Sequence, residues 1–164
     1  MIFQAPFFYI CRIMEIYFII GGMLCFFVFG NLGIHLYFKK KHQQFLESLK
    51  GKEFIWIKSI NMEMESSGKL GYRYLFNKAD VVILDDEIFL LIFNKPIRQA
   101  QPILQISNTH NIFPYVSKKI AFDSKFIEKG KLKIKGSFGA GLTSGKYTVF
   151  LNFNNKDFDL NSIL

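Results

Sequence analysis

Cysteine, histidine and arginine are all scarce in this chain of 164 residues. Its two cysteines, Cys11 and Cys25, exclude a disulfide framework and a zinc site built on thiolates. The histidines at 35, 42 and 110 are scattered, so no metal site is expected. No serine or cysteine stands beside a recognisable base, and no catalytic residue or cofactor site is read from the sequence. Three arginines against 18 lysines, with abundant Ile, Asn and Phe, fit an AT-rich bacterial genome.

Two further motifs fail on spacing or context. Gly139–Lys146 resembles a phosphate loop, but its glycines are misplaced, Tyr147 stands where Ser or Thr is needed, and a strand follows instead of a helix. Asp85, Asp86 and Glu87 fall together at a hairpin tip, where carboxylates are expected to be solvated. Glu63 and Glu65 share the polar face of a strand, and His110 sits alone in a loop.

Charge of either sign is absent from Ile16 to Phe38, while half of the whole chain is hydrophobic. As a helix at ~1.5 Å per residue this stretch reaches about 35 Å, enough to cross a hydrocarbon core of ~30 Å. It is too long for the apolar core of a signal peptide, and no Ala-x-Ala-like site follows it, so an uncleaved anchor is expected. Lys39, Lys40 and Lys41 end it, with Lys50 and Lys52 beyond, against Arg12 alone on the other side. Positive charge stays inside. The expectation is a single pass of the cell inner membrane with a cytoplasmic C-terminal domain. Asn31 and the span glycines would allow a weak homodimer through the helix, with a monomeric anchor as the alternative. Residues 1–15 read as a separate N-terminal segment containing Pro6, interfacial or preceding a start at Met14.

Residues 39–51 read as a basic neck, with a short helical stretch in which Phe45, Leu46 and Leu49 make a narrow apolar stripe, stopped by Gly51. From 52 to 164 the texture is that of about seven strands with turn residues between them, an antiparallel barrel or sandwich. Leu84 and Glu87 flank a two-residue turn, and Ile88–Phe93 is an apolar run expected to be covered on both faces. Residues 94–102 read as a loop. Residues 51–164 are expected to fold without the span.

The run from Ala79 to Leu90, then Pro102–Ile106, and the later pair Lys131–Ile134 and Lys146–Leu151 resemble bacterial pleckstrin-homology-like domains. The resemblance implies a bent antiparallel barrel, with a C-terminal helix that is short or missing here. The Lys69 and Arg73 pair lacks the spacing of the phosphoinositide-binding loop of that family.

Lysine is the remaining chemistry. Lys131, Lys133 and Lys135 alternate with Leu132 and Ile134, so all three share one strand face, and Lys118 and Lys119 lie nearby in sequence. Such a patch either keeps a strand soluble or meets anionic lipid. Nucleic acid is not expected as a partner, because the residues interleaved with the lysines are aliphatic and inward. The function expected is a membrane-anchored binding or scaffolding module, its partners the bilayer and an unidentified protein. An anionic-lipid binder is the runner-up, and an enzyme with an unrecognised site is the alternative from another class.

Overall fold

The structure is a computed structural model describing residues 5–67, 73–95, 97–138, 145–154, 156 and 158–160. The chain divides into two units, Met1–Tyr37 and Phe38–Leu164. One helix, α1 (Ala5–Ser48), runs through the boundary. The N-terminal segment is not separate, since α1 takes it in from Ala5. Pro6 stands in the first turn, where its missing N–H costs nothing.

In the first unit the side chains of residues 14–37 are half or fully exposed, with Phe18 and Phe26 at 76% and 82%. The helix has a mean hydropathy of 1.9 over its most apolar window and is long enough to cross a membrane. Asn31 donates its side-chain amide to the Phe27 carbonyl of its own helix at 2.7 Å.

The second unit holds eight strands: β1 (Ile55–Ser67), β2 (Arg73–Leu84), β3 (Glu87–Asn94), β4 (Gln99–Ile106), β5 (Lys118–Ile120), β6 (Ser124–Glu128), β7 (Lys131–Phe138) and β8 (Gly145–Asn152). They form one sheet in the order β5-β4-β3-β2-β1-β8-β7-β6. The edge strands β5 and β6 are consecutive in sequence, joined only by residues 121–123. A flat sheet of eight strands would put its edges ~33 Å apart, whereas so short a link reaches about 14 Å. The sheet therefore curls into a half-barrel. Asp123 N–H donates to Lys135 O at 2.7 Å, and the Tyr147 hydroxyl donates to Ala121 O, fastening the link to β7 and β8. Burial, with the Asp123 charge adding to it, pushes the Tyr147 pKa well above its ordinary value, so this hydroxyl stays a donor.

A bulge in β1 bends the same sheet. Pairing with β2 slips between Ile57 and Ile60, Ser59 has φ 58°, and its N–H donates to the Asp80 carboxylate at 2.8 Å. Asp85-Asp86 is the two-residue turn expected between Leu84 and Glu87. Lys129-Gly130 is a second such turn, both residues at positive φ.

Two expectations change. All pairings are antiparallel except β4 with β5, which is parallel. Residues 99–102 belong to β4 instead of a loop. Pro102 fits there because the β3–β4 register slips between Leu91 and Phe93, so no ladder bond is lost to the missing N–H. Among the described residues no α-helix follows β8. Phe158 and Leu160 pack onto the core instead, with Phe158 5.9 Å from Phe153.

The concave face carries the main core, including Ile60, Met62, Val81, Leu90, Ile134 and Val149. A second core lies on the convex face. Phe45 and Leu49, both fully buried, pack on Val82, Leu84, Phe89, Leu91 and Ile103, with Phe113 and Val116 of the β4–β5 loop beside them. His42 joins this stripe one turn earlier. Its ring meets Phe93 edge-on at 5.2 Å, and its Nε2 lies 2.7 Å from the Gln101 carbonyl oxygen. The end of α1 is thus part of the β unit. The division between the units falls at Phe38, and a fragment beginning at 51 lacks Phe45 and Leu49, two of the seven buried members of this second core.

Candidate functional site

The convex face has two halves. Over β2, β3 and β4 it is sealed by the end of α1 and the β4–β5 loop. Over β1, β8, β7 and β6 no helix or loop core seals it, and only Lys95 reaches onto it, donating to Asn61 at 3.4 Å beside Glu63 and Phe150. Strand register decides what the open half presents. Glu63 pairs with Phe150, Phe150 with Lys133, and Lys133 with Phe126, so one row crosses four strands. Lys135 opposes Thr148 and Ser124 in the next row, and Lys131 opposes Asn152 and Glu128 on the other side.

Lys131, Lys133 and Lys135 lie on one face, with Leu132 and Ile134 buried on the other. The Lys133 ammonium sits 5.1 Å from the Phe150 ring centroid, 5.2 Å from that of Phe126 and 3.6 Å from Glu128. Lys135 lies 5.3 Å from the Phe126 centroid. On β1 the Lys58 ammonium covers Trp56 at 4.0 Å, and Trp56 is 40% exposed. The open half is a ladder of cation–aromatic pairs, each worth ~0.5–1 kcal/mol at such sites. Its aromatics come from neighbouring strands. The aliphatic residues interleaved with the lysines point inward, while Phe126 and Phe150 of the flanking strands stand on the lysines' own face.

Lys118 and Lys119 do not join this face. Lys118 lines a cavity of about 180 Å³ under the half-barrel, with Met62, Met64, Asn77, Ile92 and Pro102. Lys119 is bonded to the β4–β5 loop, through the Thr109 and Asn111 carbonyls. Lys39 and Lys40 are exposed and Lys41 half-buried on α1.

Glu87 is not a solvated tip residue like Asp85 and Asp86. It is buried on the sealed half of the face. Ser107 and Thr109 donate their hydroxyls to Oε1 at 2.9 and 2.6 Å, and Gln105 donates its amide to Oε2 at 3.2 Å. Gln105 also accepts from Phe113 N–H and donates to Asn111 O. Such a carboxylate, held by neutral donors, orders a loop. It pins the β4–β5 loop so that Phe113 reaches Phe45 and Phe89. His110 is exposed in that loop. Among the described residues no group of three His, Cys, Asp or Glu side chains is placed to hold a metal. The glycine-rich stretch 139–144 and Lys69 lie outside the described residues.

Comparison with protein-family models, curated proteins and solved structures gave no match. The functional reading therefore rests on the geometry above.

Proposed function

We propose that this protein is a membrane-anchored, non-enzymatic binding or scaffolding module. In this reading α1 crosses the inner membrane once, and the β unit stands in the cytoplasm, as the five lysines at 39–41, 50 and 52 against Arg12 direct. The observation that carries the reading is the division of the convex face. One half is sealed by the chain's own helix, and the other presents Phe126, Lys133 and Phe150 in one row. Aromatics backed by a rigid sheet are the usual anchors of protein interfaces. The cavity under the half-barrel is lined mainly by apolar side chains, Met62, Met64, Ile92, Pro102, Ile103 and Leu104 among them, which suits binding of an apolar group. A curled sheet of hairpins ending near β8 supports the pleckstrin-homology-like reading. The parallel β4–β5 pairing departs from it.

A second reading has the same face meet anionic lipid, favoured by Lys131 and Lys135 flanking the aromatic row. One experiment separates the two. Full-length protein is crosslinked in its native membrane and captured, as wild type and with Lys131, Lys133 and Lys135 all changed to Gln. The module reading expects a protein adduct that the triple change weakens roughly 10- to 100-fold, at ~0.5–1 kcal/mol for each lysine. Adducts confined to anionic phospholipid, and lost in the variant, would establish the second reading. Identical adducts from both proteins would remove the face from either account.

A further inference from the structure

The direction of the α1 end along the sheet fixes which end of the β unit is nearest to where the chain enters it. His42 lies against Phe93 and Gln101, near the β3–β4 turn. Phe45, one turn later, lies 4.9 Å from Phe89, nearer the β2–β3 turn. Following the helix back toward Phe38 therefore runs toward the β3–β4 turn. Phe38 and Lys41 are the preceding members of the same half-buried stripe. The β3–β4 turn and the basic run Lys39–Lys41 thus occupy the same end of the unit.

That turn carries an unusual side chain for a solvated loop. Ile97 is 87% exposed, the highest value among the exposed large hydrophobic residues that the structure describes. Lys95 and Arg98 lie on either side of it and are both exposed, with the Lys95 ammonium donating to the Asn61 side-chain oxygen at 3.4 Å, an exposed bond that a lipid phosphate can replace. Arg98 has φ 53°, and its guanidinium lies 5.2 Å from the Phe93 ring centroid, on the side of the sheet where His42 packs. An apolar tip between two cations matches the boundary between acyl chains and anionic headgroups. Ile112 makes the contrast. It is 68% exposed but lies in the β4–β5 loop next to Phe113, which packs on Phe45 at the opposite end.

We propose that the β3–β4 turn is a second membrane contact. Ile97 enters the headgroup region of an anionic bilayer, and Lys95 and Arg98 bind lipid phosphates on either side of it. This rests on the reading of α1 as a membrane span. It gives the β unit a second attachment to the bilayer besides the chain's own entry from the span, and it leaves the open face to a partner.

The test uses full-length protein in vesicles of phosphatidylcholine and phosphatidylglycerol, with Trp56→Phe removing the native indole. Ile97→Trp and Ile112→Trp are compared as reporters, with lipids brominated near the headgroup as quenchers. The expected result is blue-shifted, quenched emission from the Ile97→Trp reporter and water-like, unquenched emission from the Ile112→Trp reporter. Adding Lys95→Gln and Arg98→Gln, or omitting phosphatidylglycerol, should reduce the quenching at least about twofold. An Ile97→Trp reporter no more quenched than Ile112→Trp, in protein that stays in the vesicles through an alkaline wash, overturns the proposal alone. Protein washed out of the vesicles overturns the span reading and the proposal with it. Quenching indifferent to both the glutamine changes and the lipid charge overturns the roles given to Lys95 and Arg98.

Discussion

A fragment of residues 38–164 should unfold cooperatively, and one of residues 51–164 should not. The difference lies in two side chains. Phe45 and Leu49 are fully buried against β2, β3 and β4, and truncating a buried Phe or Leu costs about 2–5 kcal/mol. Losing both costs about 6 kcal/mol and bares Val82, Phe89, Leu91 and Ile103 to water. That matches the whole stability of many small domains, ~5–15 kcal/mol. The single change Phe45→Ala in the longer fragment should cost about 4 kcal/mol by denaturant midpoint. Amide dispersion and a thermal transition are the measurements. Equal midpoints for the two fragments would show that the helix end is a passive neck.

Gly136→Ala should lower the melting temperature of the 38–164 fragment by about 10 °C. Gly136 opposes Tyr147 across β7 and β8. A Cβ there would meet the Ala121 carbonyl oxygen and the Tyr147 hydroxyl, and would come within 2.6 Å of Tyr147 Cζ. One of these obstacles is backbone, so a rotamer change cannot clear the site. Overpacking of this kind costs about 1–3 kcal/mol, and a broken buried hydrogen bond adds ~1 kcal/mol. For a fragment of this length 1 kcal/mol is about 4 °C. The same bond fastens the β5–β6 link, so the damage falls on the curl of the sheet. Tyr147→Leu frees the crowded space, so the double variant should lose less than the sum of the single losses. Strict additivity would mean that Gly136 is conserving nothing for Tyr147.

Much of this was legible in the residues. The uncharged run to Phe38 marked an apolar helix, and the alternation of Lys131–Lys135 gave the orientation of β7. The end of α1 was harder. Residues 39–51 carry only three apolar side chains, Phe45, Leu46 and Leu49, so the stretch reads as a neck, and a histidine at 42 does not stand out as a further member of the stripe. Yet Ile88–Phe93, apolar at every position, required cover on its second face, and the stripe of Phe45 and Leu49 was there to supply it. The start of β4 was hidden by Gln99, Gln101 and Pro102, whose polarity and missing N–H suit a loop until the register slip is known. Glu87 looked like its neighbours Asp85 and Asp86, since a two-residue turn does not reveal which side of the sheet its flanking residue joins. The Phe126–Lys133–Phe150 row exists only across strands, so no reading along one strand contains it.

The most direct measurement places a photo-crosslinking residue at positions 126, 133 and 150 of the full-length protein in living cells. A fourth variant carries it at Asp85, an exposed residue in the turn before the buried Glu87. The account predicts adducts with a cytoplasmic protein from the three face positions and none from position 85. Adducts from position 85 alone, or only with exported components, would contradict it.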